Sequence, residues 1–207
     1  MAASYGKKSL ILQRFDYRRH RMTEITDNKQ DTLTERLRAE ETRREAFNEV
    51  IRTFSEPLYH QIRRMVVSHE DANDLLQNTF MKAWMSLDNF RGDAKLSTWL
   101  YKIAVNESLT FLEKERKRLN LSIDDQDNAL INAIEADEYI NGDSLVQELR
   151  KVVASLPEKQ RLVFSMKYYD DMKYEQISEI LGTSVGALKT SYHHAVKKIE
   201  QHFSNAD

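Results

Sequence analysis

The sequence predicts an all-α protein of two small helical domains, joined by a flexible acidic linker, with a helix-turn-helix in the C-terminal domain. The 207 residues include only 5 Gly and 2 Pro, about 2% and 1% where roughly 7% and 5% are usual. A β-rich fold of this size needs many turns that these two residue types supply. Two blocks of helical hydrophobic periodicity flank an acidic stretch, and near the C-terminus a short Gly-containing turn separates two helical patterns.

The first block predicts four helices. Thr32 followed by Glu35 has the form of a capping box, which predicts a helix start. Pro57 suits the first turn of a second helix, because that turn does not need the missing N–H. The predicted helices cover about 32–54, 57–66, 71–87 and 97–118. Their expected core residues are Leu33, Leu37, Phe47, Val50, Ile51, Phe54, Leu58, Ile62, Met65, Val66, Ala72, Leu75, Leu76, Phe80, Ala83 and Trp84.

The second block follows a predicted linker over 119–144. Residues 120–148 contain no Lys or Arg but eight Asp and Glu, and the linker shows no sustained hydrophobic period. A second capping-box pattern, Ser155-Leu156-Pro157-Glu158, predicts a helix to about Tyr168. The last two helices are predicted over 174–181 and 185–203, joined by Gly182-Thr183-Ser184.

Composition and charge exclude several classes of protein. The chain has no Cys, which excludes disulfides, thiol nucleophiles and Cys-ligated zinc. No apolar run approaches the roughly 18 residues of a membrane span, so we expect a soluble cytoplasmic protein. The formal net charge is only −2, yet residues 1–22 hold six Lys and Arg against one Asp, and residues 95–118 hold six against three Glu. Such segregation of charge along the chain favours polyelectrolyte partners.

The last predicted helix separates a core face from a polar face. At about 100° per residue, one narrow arc holds Val185, Leu188, Tyr192, Val196 and Ile199. Another arc, roughly 120° away, holds Gly186, Thr190, His193 and Lys197, flanked by Lys189 and His194. A short, polar and cationic face is what contact with the major groove of DNA requires. A plain helical hairpin with a solvated outer face gives the same pattern, so the pattern alone leaves both interpretations open.

A second group of candidate binding residues surrounds the start of the fourth predicted helix. Its members are Asn89, Phe90, Arg91, Ser97, Trp99, Lys102 and Asn106. Aromatic rings can stack on unpaired bases, cations can bind phosphate and amides can read base edges, which is the chemistry of single-stranded DNA binding. Aromatic residues at helix borders serve more often as core, so a purely structural role stays open at this point.

Enzymatic chemistry finds no support in the sequence. His69-Glu70 lacks the second His of a zinc-protease helix, and Gly6-Lys7-Lys8-Ser9 lacks the spacing of a phosphate-binding loop. We therefore expect no catalytic residue, no metal and no cofactor.

Several segments carry a resemblance to a known family. The first block resembles region 2 of bacterial extracytoplasmic-function (ECF) sigma factors in DANDLLQNTFMKAW (71–84), FRGD (90–93) and TWLYKIAVN (98–106). The second block resembles region 4 of the same family in LPEKQR (156–161), YEQI (174–177) and LGTSVGALKT (181–190). Two independent matches in the family's order and spacing make the resemblance specific.

This resemblance implies a subunit that gives RNA polymerase its promoter specificity. It implies a region 2 domain over 31–118, a region 4 domain over 145–207, and a linker that threads through the core enzyme toward the RNA exit path. Residues 1–30 remain as a basic extension that we expect to be disordered. Met22 is an alternative start, so for residues 1–22 we favour a leader without function over a basic arm that binds DNA.

The resemblance also implies three sets of contacts. Region 2 would bind the clamp helices of core polymerase through Asp74, Gln77, Asn78, Met81 and Lys82. It would bind the melted −10 element through Asn89, Phe90, Arg91, Lys95, Leu96, Ser97, Trp99, Lys102 and Asn106. Region 4 would touch the polymerase flap and read duplex −35 DNA through Gly186, Lys189, Thr190, His193, His194 and Lys197.

Further expectations concern partners and departures from the family pattern. An anti-sigma factor is a further implied partner. The alternative is a helix-turn-helix regulator of double-stranded DNA that is not a polymerase subunit, which leaves the first block unexplained. The family commonly has Glu at Asn78, Gly and a capping Ser or Thr at Asp171 and Lys173, and Arg at Ser191 and His194. Fewer cations on the last helix predict weak −35 binding by the protein alone.

Overall fold

The computed structural model describes residues 27–66, 68–120 and 144–204. In those ranges every regular element is helical, which confirms the predicted all-α class. The α-helices are α1 (Asp27–Arg38), α2 (Glu40–Val66), α3 (His69–Met85), α4 (Leu96–Leu119), α5 (Ser144–Ala154), α6 (Glu158–Tyr168), α7 (Tyr174–Leu181) and α8 (Val185–Ser204), and a 3-10 helix covers Leu87–Asn89. The extension up to residue 26 and the linker residues 121–143 lie outside the described residues.

The N-terminal unit begins earlier than the sequence predicts. The first helix starts at Asp27, so residues 27–30, which we expected to be disordered, are helical. The capping box predicted at Thr32 is wrong. Thr32 lies inside α1, and its hydroxyl donates to the carbonyl oxygen of Asn28 at 3.0 Å.

The single helix predicted from Thr32 to Phe54 is broken at Ala39 into α1 and α2. The last carbonyls of a helix have no partner within it, and here α2 supplies donors. Thr42 Oγ1 donates to the carbonyl oxygen of Arg36 at 2.8 Å, and Arg43 Nε donates to that of Leu37 at 3.1 Å. The junction is therefore stabilised by side chains that the sequence pattern did not single out.

The second helix runs without a break through Pro57, so the helix start predicted there is wrong. A proline inside a helix removes one backbone hydrogen bond. Phe54, Leu58 and Ile62 lie on both sides of this proline and are fully buried in one core. Packing of that continuous apolar face offsets the lost hydrogen bond, which is a tertiary effect that local rules do not see.

The C-terminal unit contains the predicted helices with a different start for α6. Ser155 Oγ donates to the carbonyl oxygen of Val152 at 2.8 Å, and Pro157, not Ser155, is the N-cap residue of α6. The second predicted capping box is therefore wrong. In the turn after α6, Asp171 adopts the left-handed φ of +50°, which explains how an aspartate stands where the family commonly has glycine.

The helix-turn-helix follows directly. Gly182 ends α7 with a φ of +61°, a conformation that favours glycine. Its N–H donates to the carbonyl oxygen of Ser178 at 2.9 Å. On the far side of the turn, Ser184 Oγ accepts from the N–H of Ala187 at 3.4 Å in the first turn of α8. The predicted turn over 182–184 is thus present and sets the angle between α7 and α8.

The two units pack against one another, which the sequence did not predict. Arg64 of α2 donates to Ser165 Oγ at 2.9 Å and to Asp170 Oδ1 at 2.5 Å. Gln176 Nε2 of α7 donates to Thr98 Oγ1 of α4 at 3.5 Å. One apolar core runs from the N-terminal helices into the second unit, where it includes Leu162, Val163, Met166, Met172, Ile177, Ile180 and Leu188.

Candidate nucleic-acid interface

The polar face predicted for the last helix is exposed in the structure. All six predicted residues of α8 are exposed: Gly186, Lys189, Thr190, His193, His194 and Lys197. On the opposite side Leu188 and Ile199 are fully buried, and Tyr192 and Val196 pack against the core of the C-terminal unit. Ala195 is buried with them. The buried and exposed faces of this helix therefore lie where its hydrophobic period predicts them.

Local contacts orient several side chains on this face. Thr190 Oγ1 donates to the carbonyl oxygen of Gly186 at 3.1 Å, so the threonine hydroxyl keeps its lone pairs as acceptors for an approaching donor. Lys189 Nζ lies 5.7 Å from the centroid of the Tyr174 ring on α7. Lys198 is also exposed and was not among the predicted residues. Its position next to Lys197 in the sequence was the available signal.

The −10 set divides into exposed and buried residues. Asn89, Arg91, Lys95, Lys102 and Asn106 are exposed. Phe90, Leu96 and Ser97 are buried, and Trp99 is half-buried. The rings of Phe90 and Trp99 stack on each other with centroids 4.5 Å apart and an interplanar angle of 24°. Because Phe90 is buried and stacks on Trp99, it has the structural role that the sequence had left open.

Helix α1 touches the same segment, a contact that the sequence did not predict. Asp27 forms an ion pair with Lys95, and this neighbour's hydrogen bond and charge hold the pKa of the Asp27 carboxyl below its ordinary value. Gln30 Oε1 accepts from the backbone N–H of Ser97 at 3.1 Å. The guanidinium of Arg38 donates to the carbonyl oxygen of Arg91. No local signal could reveal these contacts, because the partners lie more than fifty residues apart in sequence.

The outer face of α3 carries the residues predicted to bind core polymerase. Asp74, Gln77, Asn78, Met81 and Lys82 are all exposed, and Lys82 forms an ion pair with Glu107 of α4.

Beside them, large apolar side chains are open to solvent. Met81 is 58% exposed, Trp84 44% and Met85 77%. The prediction that Trp84 belongs to the buried face is wrong in part, because only one side of its ring packs against Phe47, at 5.0 Å between centroids. The spacing of positions 81, 84 and 85 puts these apolar side chains on one helix face, and it was the signal in the sequence for an exposed apolar patch.

Two other kinds of site are absent from the described residues. Among residues 27–66, 68–120 and 144–204, no group of three His, Cys, Asp or Glu side chains could hold a metal ion. None of the described helices is long and apolar enough to cross a membrane.

Comparison with known proteins gives matches over both units. Residues 50–118 match the family model of Sigma-70 region 2, and residues 146–199 match that of Sigma-70, region 4. The ECF RNA polymerase sigma factor SigW of Bacillus subtilis is 29% identical over 157 residues, which are 72% of this chain and 84% of the relative. The ECF RNA polymerase sigma-E factor of Escherichia coli K12 is 29% identical over 188 residues, or 82% and 94% of the two chains.

Solved structures share the fold. The sigma factor RpoE of Bartonella quintana, in complex with the anti-sigma factor NepR, aligns with a TM-score of 0.61 at 20% identity over 76% of this chain and 96% of that one. CnrH, in complex with the cytosolic domain of CnrY, aligns with a TM-score of 0.62 at 19% identity over 86% and 99%. With both regions matched in order over more than half of its length, the chain belongs to the ECF family of RNA polymerase sigma factors.

Proposed function

We propose that this chain binds core RNA polymerase and directs it to promoters, reading duplex −35 DNA with α8 and melted −10 DNA with the segment 89–106. The observation that carries the proposal is the presence of two separate polar and cationic surfaces in one chain. A regulator of double-stranded DNA needs the helix-turn-helix alone. The exposed polar side chains around the start of α4 would then have no use.

On the −35 side, position on the helix suggests a division of roles. Thr190 and His193 lie in the middle of the exposed face, where side chains of a recognition helix reach base edges. Because the Thr190 hydroxyl already donates within the helix, it can accept a hydrogen bond from the amino group of adenine or cytosine. Lys197 and Lys198 lie one to two turns further along, and we assign them to phosphate contacts, which position the helix without reading sequence.

On the −10 side, the stacked Phe90 and Trp99 rings form a floor, and the polar residues around it bind the strand. Asn89 and Asn106 offer amides to base edges, while Arg91, Lys95 and Lys102 offer cations to phosphates. Since Phe90 is buried, replacing it would disturb the fold together with any DNA contact. Asn106 is exposed, so Asn106→Ala is the variant that separates loss of strand binding from loss of folding.

For core polymerase, the proposed contact surface is the outer face of α3. Met81 and Met85 supply apolar area that a monomer seldom leaves open at one place, and methionine adapts its shape to a partner. Asp74, Gln77 and Asn78 would form the polar rim of that interface.

We also infer that an anti-sigma factor regulates this chain. The two solved structures that share its fold are both complexes, one of them described as holding an anti-sigma factor, NepR.

Reconstitution with purified core polymerase tests the proposal. The chain should co-elute with core in gel filtration and should yield promoter-specific transcripts from a library of upstream fragments, read by sequencing the start sites. Binding to duplex DNA without co-elution and without specific transcripts would contradict the proposal and favour the helix-turn-helix regulator. Asn106→Ala should keep co-elution but reduce permanganate reactivity of the melted −10 bases.

A further inference from the structure

Helix α4 begins without a cap of its own. Lys95 occupies the N-cap position, and a lysine side chain has no acceptor. The N–H of Ser97 is one of the groups that a helix start leaves unsatisfied, and Ser97 is only 2% exposed. Gln30 Oε1 accepts from this N–H at 3.1 Å, and Gln30 is itself 6% exposed. Helix α1 thus caps α4 from 67 positions earlier in the chain.

The turn before α4 lies directly on the same helix. The Arg38 guanidinium binds the carbonyl oxygen of Arg91. The next residue, Gly92, has a φ of +75°, and a Cβ there would lie 2.5 Å from Arg38 Nη2 and 3.3 Å from Thr34 Cγ2. The left-handed backbone favours glycine at this position, and a Cβ there would displace the Arg38 guanidinium from its contact. The backbone at 91–92 is therefore held in one conformation against α1.

A third contact holds the side chain of Lys95. Its ammonium pairs with the Asp27 carboxylate, and both side chains are largely exposed, so the pair itself adds little stability. Its effect is positional, because it holds the ammonium beside the first residue of α1. A phosphate oxygen is an acceptor of the same kind as a carboxylate oxygen, so a DNA phosphate can take the place of Asp27.

Helix α1 is itself held in place by contacts with the rest of the N-terminal unit. Leu33 and Leu37 are buried in the core of the N-terminal unit. On the other edge of α1, Arg36 Nη1 pairs with Glu49 Oε2 of α2 at 2.6 Å. The segment 91–97 thus rests on a helix that is anchored independently of it.

We propose that α1, which lies outside both matched family regions, positions the segment 91–97 for the melted −10 strand, with Gln30 as its central positioning residue. This rests on the proposed function of that segment. The three contacts reach the carbonyl oxygen of residue 91, the side chain of residue 95 and the N–H of residue 97. They fix both ends of the loop while leaving the side chains of Asn89 and Arg91 open to a strand, and Lys95 can exchange Asp27 for a phosphate. Discrimination between bases depends on such fixed geometry.

The test uses the full chain with core polymerase. The template is a promoter recovered from the library of upstream fragments, together with every single-base change in its −10 element. For Gln30→Ala we expect open-complex formation on the parent promoter to fall about fivefold, the effect of losing one helix cap. The differences in open-complex formation among promoters with single-base changes in the −10 element should become smaller as well. Affinity for core and preference among −35 variants should not change. Gln30→Glu keeps an acceptor for the Ser97 N–H and should restore the −10 preference. Asp31→Asn, on an exposed site of the same helix, serves as the control and should have no effect.

Hydrogen exchange of the amides of residues 91–100 supplies a second readout, and it should accelerate in Gln30→Ala alone. A Gln30→Ala variant that melts at a lower temperature but keeps the parent's −10 preference and amide protection would show that α1 is only a support, and would overturn the proposal. A parent holoenzyme that recovers no promoter at all would defeat the proposed function and the positioning role with it. The two failures are therefore distinguishable.

Discussion

Arg64 of α2 and Asp170, in the turn after α6, form an ion pair of 2.5 Å that joins the N-terminal unit to the C-terminal unit. The Asp170 side chain is 1% exposed, and the Arg64 guanidinium also lies over the Tyr169 ring at 4.9 Å. On α4, burial and then the charge of Asp170 raise the pKa of the Tyr101 hydroxyl, while the charge of Arg64 lowers it. Arg64 therefore joins the two units together with the Gln176–Thr98 hydrogen bond and the shared apolar core.

This contact bears on the proposed function. Elements named −35 and −10 lie about 25 base pairs apart, which is about 85 Å of B-DNA at about 3.4 Å per pair. Helix α7 touches the start of α4 through Gln176 and Thr98, so the two proposed DNA surfaces are too close to reach both elements. The units must separate before one chain can bind both.

The first prediction concerns Arg64→Leu. This change removes the guanidinium that pairs with the buried Asp170 carboxylate, and loss of one partner from a buried ion pair is destabilising. We therefore expect the contact between the units to weaken by about 2–3 kcal/mol. Fluorescence transfer between a label on each unit should then report a longer mean distance. Arg52→Leu replaces an exposed arginine of the same helix and should leave the distance unchanged. Equal distances in all three proteins would contradict the prediction.

The second prediction concerns a locked form. The chain has no cysteine, so Thr98→Cys combined with Gln176→Cys introduces the only two thiols. The parent side chains of these positions reach one another across the two units, so a short bis-maleimide with a disulfide in its spacer can span the two cysteines. The cross-linked protein should lose promoter-directed transcription, and a reductant that cleaves the spacer should restore it. Full activity of the cross-linked protein would show that the units need not separate. Each single cysteine variant, treated with the same reagent, is the control.

Features that depend on contacts within one helix could be predicted from the sequence, and features that depend on contacts between distant helices could not. The faces of α8 were predicted because Leu188, Ile199 and the exposed Thr190 are set by periodicity within one helix. The buried environment of Ser97 was not predicted, because its N–H is bound by Gln30 of a helix that lies far away in sequence. The break at Ala39 was missed for the same reason, since its stabilising donors belong to the following helix.

The third prediction tests the roles on α8. Thr190→Ala or His193→Ala should change the preference among −35 bases by about 1–3 kcal/mol at the contacted position. Lys197→Ala should weaken all promoters alike and lower the slope of log affinity against log salt by about one unit. Affinities of the holoenzyme for a set of −35 variants at several salt concentrations measure both effects. A change of base preference in Lys197→Ala alone would mean that the reading face is rotated from the one assigned here.

The fourth prediction tests the outer face of α3. Met81→Gln together with Met85→Gln should lower the affinity for core polymerase about tenfold or more, since apolar side chains buried at an interface carry much of its binding energy. The helix content should not change, because both residues are exposed. Leu119→Gln makes the same kind of change at a residue that is 51% exposed at the end of α4, and it should leave core affinity intact. Equal affinities of all three proteins would exclude this face from the contact.

The fifth prediction concerns the acidic segment, most of which lies outside the described residues. Residues 120–148 contain eight Asp and Glu and no Lys or Arg, so the segment is not favoured near DNA phosphates. A polymerase needs positively charged channels to hold template and transcript. We predict that these carboxylates imitate nucleic acid, which steers the segment into such a channel and lets the growing RNA displace it. The rival interpretation is a solvated tether whose charges only keep it extended.

Replacing the charges without changing the length of the segment distinguishes the channel model from the tether. Six positions become Asn or Gln: Asp124, Asp125, Asp127, Glu135, Asp137 and Glu138. Because the channel model assigns these carboxylates a share of the attraction, the variant should bind core polymerase more weakly, with a smaller salt dependence, and should change the yield of abortive transcripts. Both helical units should keep their helix content, since none of the six belongs to a described helix. If affinity, salt dependence and abortive yield all equal those of the parent, the segment is only a tether.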